Sequence, residues 1–378
     1  MTDALDYART LVAIPSVSRD SNAAVSDVAE GHLRSLGFQI ERQEFLDPHG
    51  VPKVNVIGRK GPKRRGGLAY FCHTDVVPAD SWSVQAHGPF EPTVRDERLY
   101  GRGSCDMKGS LACMLAAADR LQNIDLQAPL YVVCTADEEV GFHGARQVAD
   151  SSEIYRQIVA GQSCAIIGEP TGLDVVYAHK GIYGFRVIAR GRAAHSSTRH
   201  GINANLAMIP FLMEMKQIHD ETLQDPAWRN DEFDPPWISW NIGINDHHCA
   251  VNITAPESVC TVYFRPMPGQ DPDGLVERAR HIAERCGVDF QLECRGLPLY
   301  ADPNSEFIRE TLKIVGREKA KTVGYGTDGV CFTELKQILV LGPGSIQQAH
   351  TDDEWISLEQ LASGTTAYEQ MIRRWCVS

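Results

Sequence analysis

Five short stretches of this sequence place carboxylates and imidazoles where metal chemistry needs them: His73 with Asp75, Asp106 behind Gly101 and Gly103, the pair Glu138 and Glu139, Glu169 after Gly168, and His350. Carboxylate and imidazole without thiolate suit Zn²⁺, Co²⁺ or Mn²⁺, and a ligand set short of a closed shell is catalytic rather than structural. Asp106, Glu139 and Glu169 with one bridging hydroxide balance two divalent cations, whereas around one ion they would bury surplus negative charge. Two metal ions are therefore expected, about 3.5 to 4 Å apart, a spacing one carboxylate can bridge.

Competing chemistries lack support. The eleven cysteines are odd in number and contain no CxxC pair, so neither a disulfide framework nor a zinc knuckle is indicated and most should be reduced core thiols. Cys72 precedes His73, but alternation along the apolar run LAYFCH sends its thiol to the opposite face. Ser104, Cys105 and Ser196 lie near acids and histidines without a GxSxG elbow. Gly101 and Gly103 lack the remaining glycines and the lysine of a phosphate-binding loop. His87, His143, His179, His247 and His248 read as structural or solvated residues.

The elements that must position the five clusters are short apolar runs alternating with helical periodicity, an α/β pattern with a mostly parallel sheet and helices on both faces. Residues 68–73, 130–136, 164–168 and 338–341 read as buried strands. Between the first two, Leu111, Met114, Leu115, Ala118 and Leu121 recur at helical spacing, and a second such stretch closes the chain. Loops at the carboxyl ends of parallel strands converge on one crevice, so the clusters can meet. Residues 181–293 change rhythm to alternating strands around helices at 203–218 and 272–286. They read as an α+β domain inserted between catalytic segments 1–180 and 294–378, with Gly181 and Gly296 as a possible hinge pair.

Composition bounds the partners. With 378 residues, 37 Lys plus Arg against 49 Asp plus Glu, and a net charge of −12, the chain has room for two or three domains and no basic surface for nucleic acid. No apolar run approaches the ~20 residues of a membrane span, and MTDALDYART lacks signal-peptide regions, so a cytoplasmic location without a membrane partner is expected.

The blocks CHTDVV, YGRGSCDMKG, TADEEVG, IIGEPT, AHKG, GRAAHSS, FRPMPG and LGPGSIQQAHTDDE occur in the order and spacing of a known family. Together they resemble the acetylornithine deacetylase, succinyl-diaminopimelate desuccinylase and carboxypeptidase family of dinuclear zinc amidohydrolases over nearly the whole chain. The resemblance implies a zinc-peptidase-like catalytic domain with an inserted dimerisation and lid domain, acting on N-acyl amino acids as a homodimer. It implies that His73 and Glu169 hold one metal, Glu139 and His350 the other, and Asp106 both. It further implies that Asp75 orients His73, that Glu138 is the general base, and that the peptide bond after Asp106 is cis. On the insert, it implies that His195 supplies the oxyanion donor to the partner subunit's site and that Arg265 and Asn252 grip the substrate carboxylate and adjoining oxygens.

The phrases CAIIGEPT and LVLGPGSIQQAH resemble the acetylornithine branch most, which implies release of acetate from N2-acetyl-L-ornithine in arginine biosynthesis. YGTDGVCF, with Gly326 and Thr327 lining the substrate pocket, resembles the wider family's GTDG block. It keeps a desuccinylase, another N-acyl amino acid deacylase or a dipeptidase open, with a non-catalytic binding relative as the reading from outside enzymology.

Overall fold

The computed structural model describes residues 2–377. The chain forms two compact units. The first takes everything up to Ala178, then Tyr300–Lys321 and the chain from Thr327 onward; the second takes His179–Leu299 with Thr322–Gly326.

Among the described residues the first unit is built on a nine-stranded sheet. Its centre is parallel: Leu68–His73 lies between Leu130–Thr135 and Cys164–Ile167, and Ile338–Val340 follows Cys164–Ile167. Every residue of these four strands is buried. That explains their unbroken apolar runs, since a parallel strand covered on both faces has no wet side on which to alternate. Leu68 pairs Leu130 and Cys164, and His73 pairs Thr135, so the carboxyl ends of neighbouring strands fall on one edge. Antiparallel strands Gln39–Leu46 and Pro52–Lys60 extend the sheet on one side. The architecture is the α/β sheet expected from the sequence, parallel at its centre and antiparallel where further strands flank it.

The Lys108–Arg120 helix departs from its expected single apolar stripe, because every residue from Lys108 to Ala118 is buried. Gly109, Ser110, Ala112, Ala116 and Ala117 give it slim sides, so it packs against the strands on one flank and against the Ala4–Val12 and Leu358–Ile372 helices on others. Ser110 links this packing by hydrogen bonds: its hydroxyl lies 2.8 Å from Tyr70 Oη and 2.8 Å from Tyr368 Oη, and Tyr368 donates to Leu341 O at 2.9 Å.

The second unit is a four-stranded antiparallel sheet in the order Ser239–Asn245, Glu257–Arg265, Ile182–Arg190, Asp289–Gly296. Alternate residues point inward: Tyr183, Phe185 and Val187 with Cys260, Val262 and Phe264 form a core with Met208, Phe211, Met215 and Ile282 of the covering helices. The Pro272–Cys286 helix obeys local rules at both ends. Asp271 caps it, accepting from Gly274 N, Pro272 occupies the first turn, and Gly287 ends it at φ 68°. The other helix, Ala204–Gln224, outruns its expected end at residue 218 by a further turn and a half; Asn203 caps its start. Gly181 is required by close packing, because a Cβ there would stand 2.5 Å from Gly296 O.

Gly168 of the first unit is also required by close packing, because a Cβ there would stand 2.3 Å from Tyr70 Oη and 2.6 Å from Ser110 Oγ. Gly168→Ala is expected to cost about 1 to 3 kcal/mol through overpacking. Urea unfolding should show a lower midpoint with an unchanged m-value; an unchanged midpoint would show that the tyrosine and serine move aside freely.

Candidate metal centre

Parallel register brings the clusters together. His73 ends its strand, Glu138 and Glu139 begin a 3₁₀ turn after Leu130–Thr135, and Glu169 follows Cys164–Ile167 at a point fixed by Gly168 N donating to Phe71 O at 3.0 Å. Asp106 precedes the Lys108–Arg120 helix, and the Asp106–Met107 peptide bond is cis. His350 arrives from the loop after Ile338–Val340, at φ 65°.

Their ligand atoms form overlapping groups in which all members lie within 4.8 Å of one another: His73, Asp106 and Glu169; Asp106, Glu139 and His350; and His73, Glu138 and Glu139. Asp106 belongs to the first two through different oxygens. Its Oδ1 is 3.1 Å from His73 Nε2, and its Oδ2 is 3.3 Å from His350 Nε2, which is also 3.0 Å from Glu139 Oε1. Glu169 Oε1 is 3.9 Å from His73 Nε2. One carboxylate thus presents an oxygen to each of two imidazole and carboxylate sets, the donor chemistry and arrangement that two adjacent divalent ions require.

A second layer of contacts holds the loops. Glu354, a residue the sequence reading left without a role, is fully buried. It accepts from Cys105 N and Asp106 N at 2.9 Å through Oε1, and from Gly103 N at 3.0 Å and Arg102 Nη1 at 2.8 Å through Oε2. Charge-assisted bonds of this kind are worth about 1.5 to 3 kcal/mol each, so the loop carrying Asp106 is tied from inside to the chain just after His350. Lys53, also buried, lies 2.7 Å from Asp137 Oδ1 and donates to Ser18 O at 2.6 Å and Asp20 O at 2.8 Å. This pair anchors the turn that presents Glu138 and Glu139, with Asp137 in the left-handed region at φ 60°. Neither residue advertises itself locally, since Lys53 shares its strand with Asn55, Arg59 and Lys60.

Asp75 is expected to orient His73. Its backbone oxygen, 2.9 Å away, orients His73 Nδ1, while its carboxylate stands back at 3.7 Å. That carboxylate accepts instead from Ser18 Oγ at 2.6 Å, Glu138 N at 3.2 Å and Glu139 N at 3.4 Å. Its oxygens are committed to the turn, so Asp75 fixes the imidazole by its main chain and the two glutamates by its side chain.

The field at the centre is that of crowded acids. Desolvation first, then Glu169, Glu139 and Asp328, push Glu138 well above the usual carboxylate range against the attraction of His73. Desolvation and Asp106 do the same to Glu169. Asp106 goes the other way: desolvation is outweighed by hydrogen bonds from His350 and His73, which hold it below that range. His350, bonded to Asp106 and Glu139, is pushed up to about 10. Divalent cations would relieve this crowding by displacing protons, so metal affinity should rise with pH. Asp328, also missed, is buried, and its carboxylate accepts from Thr135 Oγ1 at 2.5 Å while adding to the negative field on Glu138 and Glu169.

The remaining expected site residues are described within their own units. Thr327 is fully buried in the first unit, where its Oγ1 accepts from Gly329 N at 3.1 Å and caps the Asp328–Val330 turn; Gly326 falls in the second. Within the second unit, His195 and Asn252 sit on adjoining segments joined by Ser196 N donating to Asn252 O at 3.0 Å, and both are exposed. Arg265 stands at the opposite end of the Glu257–Arg265 strand, roughly 26 Å from its first residue at strand rise. The structure therefore does not gather Arg265 with His195 and Asn252. Of the histidines read as structural, His179 is buried with Nδ1 2.8 Å from Lys180 O, and His247 pairs with Glu257 at 3.0 Å.

Comparison with known proteins places this geometry. The family model of peptidase family M20/M25/M40 matches residues 69–374. An acetylornithine deacetylase of Myxococcus xanthus is 33% identical over 390 residues, covering 100% of this chain and 99% of its own. Among solved structures, an M20 family metallo-carboxypeptidase of Sulfolobus solfataricus is similar with TM-score 0.75 at 16% identity over 99% of both chains. A dinuclear metal-binding peptidase of the M20 family from Bacillus subtilis is similar with TM-score 0.66 at 14% identity, over 98% of this chain and 96% of its own. At these identities the two structures speak for the fold.

Glu354→Ala leaves four buried donors without an acceptor and frees the loop that aims Asp106. Calorimetric titration of metal-free protein with zinc or cobalt should show affinity at the Asp106, Glu139 and His350 group reduced about 10- to 100-fold. Unchanged stoichiometry and affinity would show that the loop holds itself.

Proposed function

This chain belongs to peptidase family M20/M25/M40, and from that premise we propose that it releases acetate from N2-acetyl-L-ornithine at a centre of two divalent ions, zinc in the first place. The activity class is metal-dependent hydrolysis of an N-acyl amino acid. One observation carries the dinuclear reading: Asp106 offers Oδ1 to the His73 and Glu169 side and Oδ2 to the His350 and Glu139 side. The choice of acetylornithine rests on full-length similarity to deacetylases of that name.

His73, Glu169 and Asp106 would hold one ion, and Asp106, Glu139 and His350 the other. When bound, the ions supply Lewis acidity toward the amide carbonyl and make water a better nucleophile. The protein's own contribution is proton management and orientation. Glu138 stands beside Glu139 on the same turn, and its raised proton affinity suits a base that takes a proton from the attacking water and returns it to the departing amine. Arg265 binds the substrate carboxylate through its planar fork, and Asn252 the adjoining oxygens.

Asn252, which adjoins the His195 segment, precedes the Glu257–Arg265 strand while Arg265 ends it, and this separation supports a homodimer in which the second unit lends His195, with Asn252, to the partner's site. The Ala204–Gln224 helix offers a surface for it. It buries Met208, Phe211, Met215 and Ile218, and it exposes Leu206, Ile209 and Met213 on its other side, an apolar stripe at helical spacing. The cytoplasm fits the eleven cysteines, all of which are free. No helix among the described residues is long and apolar enough to cross a membrane.

Four experiments test this reading. A panel of acetyl, succinyl and dipeptide substrates should show turnover that is lost on chelation, restored by zinc or cobalt, and highest on acetylornithine; preference for a succinyl or dipeptide substrate would reassign the substrate. Glu138→Gln should bind both ions yet lose about 10²- to 10⁴-fold in kcat; retained turnover would remove it as the base. Mixed dimers of His195→Ala and Glu138→Gln chains should regain activity, and Leu206→Glu with Met213→Glu should give monomers in sedimentation. Inactive mixed dimers would place His195 in its own chain's site.

A further inference from the structure

A second cluster of the first unit has no part in that chemistry. From Arg59 to Arg65 the chain carries five basic residues, Arg59, Lys60, Lys63, Arg64 and Arg65, and no acid, in a protein of net charge −12. Arg59 is 6% exposed, near the end of Pro52–Lys60 and directly across the sheet from Tyr131. A guanidinium cannot shed its charge, so burying it without an acid is costly. Among the described residues its side chain nevertheless bonds only neutral amide oxygens, Gln157 Oε1 at 3.2 Å and Gln39 Oε1.

Tyr131 adds an independent observation. Its side chain is 1% exposed, its hydroxyl has no hydrogen-bond partner among the described residues, and it lines a cleft of ≈ 260 Å³ with Gln157, Lys63, Arg64 and Arg65. Lys63 and Arg64 are exposed and unpaired with any acid among the described residues, and Arg65 donates to Gln162 Oε1. The cleft sits where Leu68–His73 and Leu130–Thr135 begin, whereas His73 and Glu138 lie at their far ends, roughly 17 Å away along a six-residue strand. No substrate amide at the metal centre can reach it.

We propose that this cleft is a binding site for a small phosphate-bearing anion. Guanidinium forks, an ammonium and a phenol supply donors in several directions, matching the oxygens of a tetrahedral multivalent anion better than the two of a carboxylate. The recess of Tyr131 favours a small ligand, since a polymer running over the exposed lysine and arginines would not reach its hydroxyl. The volume suits a phosphate group with little else, below the ~300 Å³ where pockets for drug-sized ligands begin.

Inorganic phosphate is the probe, titrated calorimetrically into the metal-loaded protein at constant ionic strength, with acetate and long-chain polyphosphate as comparators. Saturable one-site binding is expected. The triple variant Lys63→Ala, Arg64→Ala, Arg65→Ala, all on the surface, should weaken it about tenfold or more, and Tyr131→Phe severalfold. Turnover without phosphate should be unchanged in the triple variant. Absence of binding to the parent protein, equal binding to the triple variant with competitive inhibition of turnover, which would place phosphate at the metals, or binding of polyphosphate alone would each overturn the proposal.

Discussion

Everything at the centre depends on one carboxylate facing two ways. Asp106 lies between His73 and His350, an oxygen to each, at 3.1 and 3.3 Å. A side chain so shared has no freedom left, and its backbone must be placed by something else. Glu354 does this, taking the amides of residues 103, 105 and 106 and the Arg102 guanidinium on its two oxygens. The bridge and its clamp are 248 residues apart in sequence. The loop of His350 and the loop of Asp106 therefore cannot move independently, and the two halves of the donor set are built as one object.

The sheet supplies the coarser placement. Parallel strands in near register end together, which puts His73, the 138–139 turn and Glu169 on one edge without any specific attraction among them. Attraction is in fact the wrong sign, since Glu138, Glu139 and Glu169 repel one another and are raised first by desolvation. Buried ties such as Lys53 to Asp137 and the Asp75 carboxylate to the Glu138 and Glu139 amides hold the acids in place against that repulsion. The stability of the fold is thus partly spent in keeping apart charges that divalent ions would reconcile.

What could be read from the sequence follows the range of the forces involved. Strand identity came from local apolar runs, and His73, Asp106, Glu139, Glu169 and His350 stood out because their types suit metals and they follow those runs. Contacts made across the chain left no such mark. Glu354 looks like any acid in a polar loop, and the resemblance implies Asp75 as a partner for His73, whereas its carboxylate oxygens are engaged by amides more than 60 residues away. Helical periodicity suggested one buried face for Lys108–Arg120, but the number of elements surrounding a helix is a tertiary property. Likewise Asn252 and Arg265 could be grouped by resemblance, while the length of the strand between them could be measured only on the folded unit.

Crystals of zinc- or cobalt-loaded protein measured at the metal absorption edge test the central claim most directly. Two anomalous peaks about 3.5 to 4 Å apart should appear on either side of Asp106, one beside His73 and one beside His350. A single fully occupied peak at saturating metal, or two peaks with no shared Asp106 ligand, would contradict the account.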